Sequence, residues 1–312
     1  MAILVNKNSK IAIQGITGRE ASMVTKHALA YGTKILAGVT PGKEGQNIEG
    51  VPVYDTLKRA CQNHEINTSV VYVPPAFAYD AVMEAIGNGI PLVIIITERI
   101  PQQDAIMFLD AAKRAKCTVI GPNSVGVITP EDRVKLGAIG GDNPQRCFVP
   151  GSIGVISRSG GMTAECAWMV KRAGFGVTTC VSIGGDAFIG SPPKKILGMF
   201  EDDPKTKAVV LWGEPGTRYE EDVADFVKEG GFTKPLIAYI GGKFVEEMPE
   251  GTVFGHAASI IEGGVGKPSN KMTTLRDAGC YVPENFNDII NCVQIVMEKK
   301  NHDLQKAECM NS

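Results

Sequence analysis

Four histidines occur in the 312 residues, and one of them, His256, stands in "EGTVFGHAASIIEGGVGKP" (250–268) among alanine, serine and glycine. Such small neighbours leave an imidazole uncovered. No second histidine or cysteine stands close enough in sequence to share a metal, and no His-Glu-x-x-His occurs. A histidine of this kind is either simply exposed or works as a nucleophile or proton carrier. Glu214, in "LWGEPG" (211–216), falls at the end of an expected strand. In open parallel sheets that edge carries ligands. Its carboxylate can orient an imidazole by accepting the N–H of the second ring nitrogen, or it can be an ordinary solvated acid.

Two glycine-serine turns offer places for anions. In "QGITGREAS" (14–22), Gly15 and Gly18 allow a tight turn, Thr17 adds a hydroxyl, and the helix expected from Arg19 presents unpaired N–H groups. The pattern departs from the dinucleotide motif G-x-G-x-x-G, because Thr17 holds the place of its second glycine. The second strand ends in "TPGKEG", with no acidic residue for a ribose and with Lys43 placed beside the turn. A phosphate-rich ligand other than NAD fits this turn. In "SRSGGMTAE" (157–165) a strand again runs into a helix, and Ser159, Gly160, Gly161 and Thr163 fall in its first turn. Neither Walker A nor G-x-S-x-G is present, so the turn is an anion site or a plain N-cap.

The elements that position these residues alternate along the whole chain. "KIAIQG", "KILAGV", "SVVYVP", "PLVIII" and "CTVIGP" read as strands separated by helices at 19–31, 55–63, 77–88 and 102–115. They are continuous Val/Ile runs, as expected of parallel strands covered on both faces. A Gly/Pro-rich stretch at 129–152 reads as a linker. The alternation then restarts with "IGVIS", "VTTCVSIGG", "AVVLWGE", "PLIAYIGG" and a short "CYV", with helices between them and a helical tail from 286 to 300. Two tandem doubly wound α/β domains follow, with boundaries at 1–130, 131–152 (linker), 153–300 and 301–312 (frayed tail).

Composition narrows the setting. Apolar residues make up 44%, mean hydropathy is near zero, and the net charge is −2, which disfavours nucleic acid as a partner. The longest apolar run, "PLVIIIT", is too short to span a bilayer, so no membrane association is expected. The eight cysteines form no Cys-x-x-Cys pair and read as reduced, mostly buried thiols. The N-terminal run lacks a signal-peptide layout, and a cytoplasmic or mitochondrial-matrix location is expected.

Taken together, "QGITG", "YGTKILAGVTPGKEG", "VYVPP", "ITERIPQQD", "IGPNSVGVITP", "VISRSGGMT", "SIGGD", "GEPG" and "GHAASI" resemble, in order, the α subunits of succinyl-CoA synthetases. These belong to the NDP-forming acyl-CoA ligases, a superfamily that includes ATP-citrate lyase and citryl-CoA synthetase. The resemblance covers the chain to about residue 298. It implies an N-terminal Rossmann-like CoA-binding domain and a C-terminal flavodoxin-like ligase domain. CoA would be held by Thr17, Gly18 and Arg19, by Lys43, by the backbone of Tyr72 and Val73, and by Ile96, Thr97, Glu98 and Asn123. His256 would carry the phosphoryl group, Glu214 would steady it, and the helix opened by Ser159, Gly160, Gly161 and Thr163 would hold it. ATP or GTP with Mg²⁺ would be bound by a separate ATP-grasp β subunit in a heterodimer or heterotetramer, and the other substrate would be a small carboxylic acid.

This chain departs from the family pattern at several positions. Ala21 ends the first turn where a glycine is usual, "TPGKGG" reads "TPGKEG", and "GEIGG" reads "GEPGT". "SRSGTLTYE" reads "SRSGGMTAE", so Ala164 replaces a tyrosine near the acid, and Gly161 opens the same turn. Succinate is the expected acid. Citrate, or another bulkier acid, is the alternative that Gly161, Met162, Ala164 and the phenylalanine of "FGHA" suggest, and a non-catalytic CoA-binding module is a further alternative.

Overall fold

The computed structural model describes residues 2–249, 252, 256, 261 and 266–310, with side chains through Lys299. Gly255, Ala257 and the remainder of "GHAASI" other than His256 lie outside the described residues.

The first half contains β1 (Ile11–Gln14), α1 (Arg19–Tyr31), β2 (Ile35–Val39), β3 (Asn47–Ile48), β4 (Val51–Tyr54), α2 (Leu57–Asn63), β5 (Thr68–Val71), α3 (Ala78–Gly87), β6 (Leu92–Ile95), α4 (Gln102–Arg114) and β7 (Thr118–Ile120). Its sheet has the order β3-β4-β2-β1-β5-β6-β7, parallel throughout except for the β3–β4 pair. The second half contains β8 (Val127–Thr129), β9 (Val134–Leu136), β10 (Pro150–Ser157), α5 (Gly160–Arg172), β11 (Val177–Ser182), α6 (Pro193–Asp202), β12 (Ala208–Gly213), α7 (Tyr219–Lys228), β13 (Leu236–Ile240), α8 (Pro268–Asp277) and α9 (Ile289–Met310). Its sheet has the order β13-β12-β10-β11-β8-β9, with the first four strands parallel and β8 and β9 antiparallel. Both halves are therefore α/β layers of the doubly wound kind that the Val/Ile runs imply.

Successive strand residues serve different cores. Ile11 and Ile13 face α1, while Ala12 packs with Leu57, Val82 and Phe108 from α2, α3 and α4. In the second sheet Ile156, Val209 and Leu211 face α6 and α7, while Val155 and Val210 face α5 and α9. The face of the first sheet that carries α1 and the face of the second that carries α6 belong to one continuous apolar cluster. The strands must be apolar on both faces for this reason, which explains their lack of alternation.

Two short hairpins differ from the sequence reading. β3–β4 adds an edge to the first sheet where only a connection was expected, and Pro52 in β4 stands opposite Asn47 of β3, outside the residues that pair with β2. β8 and β9, within and just before the expected linker, extend the second sheet. At three residues each they are too short to show a period. The expected strand "CYV" is reduced to one bridge between Ile237 and Tyr281, and the C-terminal helix runs on through Met310 instead of fraying near residue 300.

Candidate active site

The two sheets present their carboxyl ends to each other. The loop after β7 and the loop after β11 are laced by backbone hydrogen bonds: Gly121 N–H to Ile183 O, Gly185 N–H to Asn123 O at 3.1 Å, and Gly190 N–H to Gly121 O. Gly184 has φ +105°, and a Cβ there would lie 2.1 Å from Pro122 O, so only glycine allows this approach.

His256 lies at this seam. Its Nδ1 is 2.7 Å from Glu214 Oε2, and both side chains are mostly buried, at 28% and 11% exposure. A carboxylate can only accept, so Nδ1 carries the hydrogen, and in the neutral ring the lone pair then falls on Nε2. The other Glu214 oxygen accepts from Trp212 Nε1 at 3.3 Å. Burial pushes the Glu214 carboxyl up, but the His256 hydrogen bond and charge, then Arg158 and Trp212, outweigh it and hold the group below the usual carboxylate range. The ring rests on Gly185: a Cβ there would lie 2.5 Å from His256 Cδ2 and 2.7 Å from Nε2.

The loop that carries Glu214 is anchored from behind. Glu220 Oε1 accepts from the Glu214 N–H at 3.4 Å, and fully buried Lys271 pairs with Glu220 and donates to Thr217 O. Gly216 N–H donates to Gly266 O, and a Cβ on Gly266 would lie 2.5 Å from Gly216 Cα.

Ser159 caps α5, its Oγ accepting from Met162 N–H at 3.4 Å. Gly160 packs on Val125, where a Cβ would clash at 2.2 Å, whereas a Cβ on Gly161 would meet open space. Thr163 is buried, and its hydroxyl donates to Ser159 O at 2.8 Å, so it braces the turn from within and does not face a ligand. Ala164 is half-buried and packs against the core that α5 shares with α9. The first turn of α5 contains no acidic residue.

Arg158, just before the cap, is 1% exposed. Its Nη2 donates to the carbonyls of Gly185 (3.3 Å) and Asp186 (3.2 Å), and Nη1 has no hydrogen-bond partner among the described residues. It links the start of α5 to the floor under His256. Sequence reading passed over Arg158, Gly185 and Asp186, although both motifs that contain them were visible. A charged residue at a strand end reads by default as solvated.

Of the residues expected to hold CoA, Tyr72, Val73, Ile96, Thr97, Glu98 and Asn123 line one cleft of about 570 Å³, with Glu20 and Val125. That volume lies within the usual range for small-molecule sites. Gly15 has φ +83° and presses against the Tyr72–Val73 backbone, where a Cβ would stand 3.1 Å from both Tyr72 C and Val73 N. Gly18 caps α1 without a side-chain hydrogen bond, so its N–H groups stay open next to Arg19. Thr17 Oγ1 donates to Thr40 Oγ1 at 3.2 Å, tying this turn to the loop that bears Lys43. Lys43 is exposed and does not line the cleft itself. Val125, on the cleft wall, is also the residue under Gly160, so the cleft adjoins the α5 N-terminus.

The chain is thus a tandem pair of doubly wound sheets, with a glycine-turn cleft beside the first and a carboxylate-held histidine beside the second. The comparisons agree: residues 6–99 match the model of the CoA binding domain, and residues 156–281 match that of CoA-ligase. The chain is 43% identical over 297 residues to a succinate–CoA ligase [ADP-forming] α subunit of Archaeoglobus fulgidus, covering 95% of this chain and 100% of that one. It is 41% identical over 287 residues to an ADP-forming sulfoacetate-CoA ligase subunit of Acholeplasma sp, covering 91% of this chain and 94% of that one. A solved ATP citrate lyase of Methanosaeta concilii, in complex with (3S)-citryl-CoA, superposes with TM-score 0.88 at 26% identity over 95% of this chain and 51% of its own, so this chain spans about half of that protein. The chain belongs to the family of α subunits of NDP-forming acid–CoA ligases. Among the described residues, no helix is long and apolar enough to cross a membrane.

Proposed function

We propose that this chain is the α-type subunit of a succinate–CoA ligase, which forms succinyl-CoA reversibly from succinate, CoA and a nucleoside triphosphate, with His256 as phosphoryl carrier. The observation that carries the reading is the 2.7 Å contact between His256 Nδ1 and Glu214, which leaves Nε2 as the nucleophile. The phosphoryl group moves from nucleotide to Nε2, then to the acid, giving an acyl phosphate that the CoA sulfur attacks. Glu214 fixes the ring, and the open N–H groups of Gly160 and Gly161 stabilise the transferring charge without reorganising. The cleft at Tyr72–Asn123, with Thr17, Gly18, Arg19 and Lys43 at its approach, binds CoA, consistent with the CoA binding domain model.

The relatives' designation as α subunits supports a partner subunit. We assign to that partner an ATP-grasp nucleotide site with Mg²⁺, in an αβ or α2β2 assembly in the cytoplasm or mitochondrial matrix. Citrate is not favoured, because the relatives near 40% identity act on smaller acids by name and the citrate enzyme is the more distant one. The test is thioester formation by the co-purified αβ complex with succinate, sulfoacetate, malate and citrate. Succinate should give the highest kcat/KM. A higher value for another acid would replace succinate, and no thioester with any acid would overturn the ligase reading.

A further inference from the structure

Glu214 meets His256 through Oε2 and Glu220 through its own N–H, and its other oxygen, Oε1, accepts from the indole of Trp212 at 3.3 Å. The reading above leaves this third contact without a task. Trp212 and Glu214 stand two residues apart at the carboxyl end of β12, so they fall on one face of the extended chain. The indole is itself held. It pairs in register with Tyr239 of β13, whose ring lies 5.2 Å away at 31°, and Phe286, just before α9, meets it edge-on at 5.5 Å and 81°. Tyr239 and Phe286 touch each other as well, at 5.5 Å. A Cβ on Gly241 would lie 2.5 Å from Trp212 Cζ2, so a glycine there makes room for the ring. An indole packed in this way keeps its N–H aimed at Oε1.

The terminal torsion of a glutamate is soft, so one hydrogen bond to His256 sets a distance but leaves the carboxylate able to turn, and the imidazole with it. Hydrogen bonds to both oxygens fix the plane of the carboxylate. The Nδ1–H of His256 must then lie along a fixed direction, and Nε2, on the far side of the ring, takes a fixed aim. In-line attack on a phosphorus depends on that aim. Resting on the ligase reading, we propose that Trp212 is a positioning residue for phosphoryl transfer, which fixes the rotation of the Glu214 carboxylate and through it the His256 ring. The charged neighbours have other work. Arg158 donates to the carbonyls of Gly185 and Asp186, and Glu220, paired with Lys271, holds the Glu214 backbone. Of these groups, the indole is the one that sets the carboxylate's rotation.

The test uses the αβ complex and follows the labelling of His256 from γ-labelled nucleoside triphosphate by rapid quench. Trp212→Phe keeps an aromatic ring in the stack and removes the donor. It should slow the labelling rate constant on the order of 10-fold. The nucleotide concentration for half-maximal rate, and CoA affinity by calorimetry, should stay within about twofold of wild type. In a Glu214→Ala background no carboxylate is left to hold, so adding Trp212→Phe should change the rate by less than about twofold. A Trp212→Phe rate constant within about twofold of wild type would overturn the proposal. So would an equal loss in the two backgrounds, which would make the indole a packing element of the sheet. A raised half-saturation with an unchanged rate constant would overturn it too. Absence of labelling in the wild type would remove the ligase reading itself, so the two failures are distinguishable.

Discussion

The two strand–turn–helix junctions, at residues 14–19 and 157–160, are built alike and differ in what they leave open. At the first, Gly18 caps α1 with no side chain, Arg19 and Glu20 are exposed, and Gly15 presses the turn onto the next strand's end, leaving a wide cleft beside it. At the second, Ser159 satisfies one N–H, Gly160 is clamped on Val125, no acid stands in the first turn, and a buried guanidinium backs the junction. The first suits a long ligand with several phosphates that is held loosely at many points. The second suits one small, highly charged group held at a fixed position, since a buried cation and open N–H groups gain strength where water is excluded.

Breaking the second junction should cost far more catalysis than breaking the first. Gly185→Ala introduces a methyl that must displace the His256 ring, and we expect phosphorylation of His256 to slow on the order of 100-fold with CoA affinity unchanged, as rapid-quench labelling and calorimetry would show. Ala164→Tyr restores bulk beside the Gly161 turn and should shift the kcat/KM ratio of succinate over citrate by roughly 10- to 100-fold toward succinate. No shift would remove residue 164 from the acid pocket. At the first junction, Lys43→Ala should weaken CoA binding by roughly 1–2 kcal/mol and leave His256 phosphorylation intact. Equal CoA affinity in both proteins would place Lys43 outside the site.

A control lies outside both junctions. Lys135 on β9 is fully buried, its Nζ has no hydrogen-bond partner among the described residues, and burial pulls its pKa down to about 8 against a partly opposing Asp142. Between pH 8 and the ordinary lysine value of 10.5 the native chain therefore holds fewer protons than the unfolded one, so stability rises with pH across that window. Lys135→Met should stabilise the protein at pH 7 on the order of 1–2 kcal/mol, with the gain fading above pH 10. Chemical denaturation at both pH values would test this.

The parallel strands were legible because burial on both faces demands unbroken Val/Ile runs, and the glycine turns because their spacing has few structural uses. The hairpins β3–β4 and β8–β9 were not, since two to four residues carry no period and their pairing is decided by the neighbouring sheet. The chemistry-bearing types, His256 and Glu214, stood out in sequence. What positions them did not: Arg158 reads as surface charge, and Gly185 and Asp186 gain meaning only when β11's loop meets β7's.

The proposed chemistry requires His256 to be the covalent carrier. Incubating the αβ complex with γ-labelled nucleoside triphosphate and Mg²⁺ should yield an acid-labile, base-stable label on His256, lost in His256→Asn together with nearly all turnover, while Glu214→Gln slows labelling less than that. Retention of the label in His256→Asn would contradict it.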